Sequence, residues 1–106
     1  MTERPRKPRQ SATLRRLLDG YLHQDLRLEY GSAEAAAAAF ARDATAAERA
    51  WARAALLRFA AWADGLDEDT WRPAWRAQGG AWRPEHAAEI HALALRLKDH
   101  DDHAGD

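Results

Sequence analysis

The chain contains no valine and a single isoleucine, Ile90, against 26 alanines and 12 leucines. Strands favour β-branched side chains because these pack well on a pleated surface, and this sequence supplies almost none. Alanine is the strongest helix former, with leucine and arginine close behind. An all-α fold is the expectation before any motif is considered. With 106 residues, the chain has the length of one domain. Its 23 Leu, Ile, Met, Phe, Tyr and Trp residues fill one compact core, at roughly 1.5–3 kcal/mol gross for each fully buried side chain. They leave nothing over for a deep substrate cavity.

Punctuation along the sequence divides it into a bundle of about five helices between residues 11 and 99. Ser11 is a candidate N-cap, and Leu14, Leu17, Leu18, Tyr21 and Leu22 then share one face of a helix expected over Ala12–His23. Gly31 and Ser32 open a second, Ala33–Asp43, whose one large anchor is Phe40. A helix so short of bulk must lie close to a neighbour or stay partly exposed. Thr45 and Glu48 form a capping box ahead of a third helix, Ala46–Ala63. Its expected apolar face gathers Trp51, Ala52, Ala55, Leu56, Phe59, Trp62 and Ala63, and Gly65 is expected to end it.

Acids at residues 67–69 then suit the N-terminus of a fourth helix, where the dipole favours negative charge. Trp71 and Trp75 share its inner face, Pro73 is expected near its first turn, and Gly79-Gly80 closes it. Pro84 is expected as the first residue of a fifth helix, whose stripe is Ala87, Ile90, Leu93, Ala94 and Leu97. The spacing makes most of the five tryptophans core residues, with Trp82, in the loop before Pro84, the one expected to be partly exposed. Residues 1–10, with two prolines and four Lys/Arg, read as a flexible basic arm, and residues 100–106 as a disordered polar tail.

Charge is unevenly spread. Residues 1–16 carry six Lys/Arg and one acid, whereas residues 17–106 carry ten Lys/Arg and sixteen acids, a balance of −6. The body is acidic, which argues against a large nucleic-acid footprint. The absence of cysteine fits the cytoplasm better than secretion, no apolar run after the basic arm resembles a signal-peptide core, and no stretch is apolar for long enough to span a bilayer.

Nothing in the sequence composes a catalytic constellation. There is no cysteine nucleophile, no phosphate-binding glycine loop and no G-x-S-x-G turn, and the only serines, Ser11 and Ser32, are explained as caps. His86 and His91 are five residues apart, off a common helical face, and His100 and His103 fall in the polar tail. No metal, organic cofactor or enzymatic activity is expected.

One string is specific: Tyr21-Leu22-His23-Gln24-Asp25, followed by Glu29-Tyr30-Gly31-Ser32, with Phe40 closing the next helix. It resembles the small immunity proteins of contact-dependent growth-inhibition systems, which carry a Tyr-x-His-Gln-Asp stretch and then a Tyr-Gly. The match is good over about residues 14–43, with a compatible helix number and Trp/Pro region over 44–98. The resemblance implies a bacterial, cytoplasmic, stoichiometric inhibitor that binds the toxin domain of its own lineage. It also makes Tyr21, His23, Gln24, Asp25, Glu29, Tyr30 and Gly31 the family motif. These residues are expected to be mainly structural, and loss of the Asp25 carboxyl is expected to lower stability.

The acidic balance and the resemblance together point to a basic partner such as a nuclease, whose phosphate-binding surface an acidic inhibitor would cover. The densest acidic cluster, Asp64, Asp67, Glu68 and Asp69, with Trp82 as an aromatic anchor, is the expected toxin-binding surface. The alternative reading is a small helical nucleic-acid-binding or antitoxin-like regulator working through Arg4, Arg6, Lys7 and Arg9. A gene directly downstream of a toxin gene favours the first reading, and retention on DNA at moderate salt favours the second.

Overall fold

The computed structural model describes residues 12–24 and 30–103, with side chains as far as Leu97. Within these residues the chain forms five helices and no strand: α1 (Ala12–Gly20), α2 (Ala33–Asp43), α3 (Ala46–Ala63), α4 (Glu68–Gln78) and α5 (Ala87–His103). The fold class is all-α, as the dearth of β-branched residues dictates. Residues 1–10, the candidate cap Ser11, Asp25, Glu29 and residues 104–106, about which the sequence raises expectations, lie outside the described residues.

The starts of α2, α3 and α4 are made by the side chains the sequence places there. Ser32 Oγ accepts from the Ala35 N–H at 3.1 Å. Thr45 and Glu48 close their capping box with bonds of 3.1 and 2.9 Å. Asp67 accepts the Thr70 N–H at 3.1 Å and the Thr70 hydroxyl at 2.6 Å. Each satisfies N–H groups that a helix end leaves without partners.

Helices α3 and α5 form the central pair, α2 packs on α5, and α1 lies across α3 and α4. Phe59 of α3 is fully buried and meets three tryptophans edge to face: Trp62 at 5.5 Å, Trp71 at 6.5 Å and Trp75 at 5.1 Å. Leu14, Leu17, Leu18, Leu22, Leu56, Ile90, Leu93 and Leu97 fill the space around them. Helix α2 compensates for its lack of bulk by close approach: Ala36, Ala37 and Ala41 have no exposed surface, and Phe40 anchors it.

Five local expectations are corrected. Trp51 is 64% exposed rather than part of the core. The buried arc of α3 centres on Ala52, Leu56, Phe59, Ala60 and Ala63, and Trp51 projects from its edge. Helix α1 stops at Gly20 instead of His23, although the Tyr21 and Leu22 N–H groups still bond to the Leu17 carbonyl. Gly65 takes no left-handed conformation; Asp64 caps α3 in right-handed helical geometry, and the Leu66 N–H bonds to the Ala63 carbonyl. Pro73 is the sixth residue of α4, not in its first turn. It sits on the exposed side, where water can serve the Asp69 carbonyl that loses its helical donor. Pro84 does not begin α5, which starts at Ala87. The Glu89 carboxylate reaches back to the Glu85 and His86 N–H groups, so the chain before Ala87 serves as the cap, and Pro84 is buried.

Sequence reasoning did not anticipate Arg49. This residue of α3 is 8% exposed and donates from Nη1 to the carbonyls of Ala41 and Ala44 at 3.0 and 2.9 Å. It places a positive charge on the carbonyl end of α2, where the helix dipole favours it.

Candidate functional site

The four expected acids are brought to one corner, where α3 turns into α4. Asp64 ends α3, and its carboxylate accepts the His91 Nε2–H of α5 at 2.9 Å with both side chains about half exposed. Asp67 is engaged as the cap of α4. Glu68 is half-buried and Asp69 exposed. Four carboxylates within six residues thus stand at the positive end of the α4 dipole, two of them oriented by bonds within the chain.

Trp82 is not part of this corner. Helix α4 runs about 15 Å from Glu68 to Gln78, and Trp82 packs against its second half. Its ring meets Trp75 at 5.9 Å in an edge-to-face contact, and its carbonyl accepts the Trp75 Nε1–H at 3.1 Å. The indole is half-buried. The loop that carries it is tied to the end of α1: Asp19 accepts the Gly80 N–H at 2.7 Å, and the Leu22 carbonyl accepts the N–H groups of Ala81 and Trp82 at 2.9 and 3.1 Å. Gly79 and Gly80 make the turn with φ of 126° and 71°.

Between the acidic corner and the Trp82 loop lies a cleft of about 560 Å³ lined by Trp71, Arg72, Trp75, Arg76, Arg83, Pro84 and Glu85. Three arginines against one acid make it positive on an otherwise acidic body. Arg72 donates to the Glu85 carbonyl at 2.7 Å and lies over the Trp71 ring at 5.7 Å. Arg83 donates to the Gly80 and Trp82 carbonyls at 3.2 and 3.1 Å. The spacing of Arg72 and Arg76, like charges one helical turn apart, was a sequence signal that went unread.

The described part of the Tyr-x-His-Gln string joins α1 to α2. The Tyr21 hydroxyl donates to Asp43 at 2.8 Å, and its ring stacks on Tyr30 at 5.9 Å and meets the edge of Phe40 at 5.5 Å. His23 lies 6.4 Å from Tyr30, while Gln24 is exposed. Gly31, with φ of 88°, turns the chain into α2. Partial burial and the bond to the Asp43 carboxylate push the Tyr21 hydroxyl up to about 12. Among the described residues, no three His, Asp or Glu side chains form a group that could hold a metal ion, and no helix is long and apolar enough to cross a membrane.

Compared with known families, the chain matches the model described as CdiI immunity protein over residues 10–92. It belongs to the CdiI immunity protein family. The matched span takes in α1 to α4 and the first turn and a half of α5, so the acidic corner, the arginine-lined cleft and the Tyr21 cluster all fall within the CdiI region. No curated protein and no solved structure gives a significant match.

Proposed function

We propose that this chain neutralises the toxin domain encoded with it, by forming a stoichiometric complex in the cytoplasm of the bacterium that makes it. The match to the CdiI immunity protein family over residues 10–92 carries this reading. The protein acts by occupying a surface, not by catalysis. Its compact bundle offers what a specific inhibitor needs, a rigid scaffold with charged groups held in place. The acidic corner of Asp64, Asp67, Glu68 and Asp69 meets a basic patch on the toxin, of the kind a nuclease uses to hold phosphates.

The test is co-expression with the toxin domain of the adjacent gene. Growth should be restored when this chain is present, and the two proteins should purify as a one-to-one complex. Continued toxicity with no complex would reject the reading. Retention of the chain on DNA at moderate salt, without a protein partner, would replace it with a nucleic-acid-binding regulator.

A further inference from the structure

The arginine-lined cleft runs against the charge of the rest of the body. Residues 17–106 sum to −6, yet Arg72, Arg76 and Arg83 face one cleft with only Glu85 to oppose them. A cation near the carbonyl end of a helix is favoured by the dipole, which accounts for Arg76 alone. It does not account for Arg72, one turn earlier, or for Arg83, which the Gly79-Gly80 turn folds back beside them. Like charges at this spacing oppose helix stability, and a local conflict of this kind marks surfaces shaped by something other than folding.

Two of the guanidinium groups are already positioned. Arg72 is held by the Glu85 carbonyl and the Trp71 ring, and Arg83 by the Gly80 and Trp82 carbonyls. The Arg76 side chain is exposed and has no hydrogen bond or ion pair among the described residues. Guanidinium forks fixed in this way suit planar carboxylates, which they bind through paired N–H donors.

We propose that this cleft receives an acidic segment of the toxin, its carboxylates seated on Arg72, Arg76 and Arg83. The identity of that partner rests on the immunity reading; the chemistry of the cleft does not. A nucleic-acid strand fits less well. Trp71 and Trp75 are each 1% exposed, so neither offers a ring face for base stacking, and Arg72 covers what Trp71 shows. The acidic corner at the head of the same helix would repel a phosphate backbone. Acids at one end of α4 and arginines along it form adjacent patches of opposite sign. A partner must match both at once, which fixes its orientation and excludes toxins that match only one.

Two measurements test this on the full chain. In the first, capped hexaglutamate is titrated against nitrogen-15-labelled protein, beside an oligothymidylate of equal charge. The expected result is saturable shifts of the Trp71 and Trp75 indole signals and of the Arg76 amide with hexaglutamate, lost in Arg76→Glu. The absence of any saturable shift at about 1 mM peptide overturns the proposal, as does tighter binding of the oligonucleotide at the same residues. Self-association abolished by Arg76→Glu would give the cleft to a second copy and likewise overturn it.

In the second measurement, Arg76→Glu should weaken the complex with the adjacent gene's toxin domain by about tenfold or more, with cooperative melting retained. Unchanged affinity overturns the assignment of the toxin to this cleft. If that domain does not bind even the unaltered chain, the immunity reading fails, and the hexaglutamate titration still decides the chemistry of the cleft.

Discussion

At its N-terminal end, α4 is satisfied locally: Asp67 caps Thr70 three positions on, Asp64 meets a single histidine, and Asp69 faces solvent. At its C-terminal end, the residues that follow it are tied to α1 across about sixty positions of sequence, through Asp19 to Gly80 and through Leu22 to Ala81 and Trp82. The first end can change its side chains without moving the backbone. The second cannot, because it shapes the cleft and holds two helices together. An immunity protein of this fold can vary the first kind of surface freely. It can vary the second only at side chains, such as Arg76, that take no part in the ties.

The sharpest way to break this contrast is Gly80→Ala. A Cβ at this position would lie 2.6 Å from the Leu18 carbonyl oxygen, and the residue holds φ of 71°. Neither the backbone of α1 nor the turn has room to give, so stability should fall by about 2–4 kcal/mol in urea unfolding. An unaltered midpoint would mean that the loop is not docked on α1 in solution. Asp19→Ala should cost less, about 1–2 kcal/mol, because it removes a charge-assisted bond to the Gly80 N–H but inserts nothing. Asp19→Asn keeps an acceptor and should recover part of the loss.

The same end of α1 carries a tie that responds to pH. The Tyr21 hydroxyl is raised to about 12 by partial burial and by Asp43, against about 10 for an unfolded tyrosine. A group with a raised folded value contributes stability in full below its unfolded value and loses it as pH rises through the folded one. Stability should therefore decline between about pH 10 and 12. Tyr21→Phe should be less stable at neutral pH and lack this part of the decline; an identical alkaline profile would show that the Tyr21–Asp43 bond does not form.

The N-terminal end of α4 was legible in sequence because its structure is local: caps and their partners stand three residues apart. The same holds for the starts of α2 and α3, which follow from Ser32 and Thr45. Trp71 and Trp75 were readable as core because polar residues mark the other side of α4. Trp51 was misread because α3 carries alanine on its solvent side too, at Ala47, Ala50 and Ala61, and alanine does not distinguish one face from the other. The cleft was hidden for a different reason. Arg72 and Arg76 adjoin Arg83 only after the double-glycine turn has docked on α1, and no local pattern announces a tie across sixty residues. The resemblance to immunity proteins implied a class of partner, whereas the cleft proposed to meet it depends on these long-range contacts.

The smallest expected effect on stability is at the acidic corner. In the variant Asp67→Ser, Glu68→Asn, Asp69→Asn, serine keeps an oxygen for the Thr70 N–H, so the cap survives. What is lost is the interaction of three charges with the α4 dipole, each worth a few tenths of a kcal/mol at an exposed site, so unfolding should shift by about 1 kcal/mol or less. The effect on binding should be different in kind. If the corner faces a basic patch on the toxin, removing three negative charges should slow association and flatten its dependence on salt, with dissociation changed less. Stopped-flow mixing with the toxin domain at low and moderate ionic strength reads both quantities. An association rate and salt slope equal to those of the unaltered chain would remove this corner from the interface.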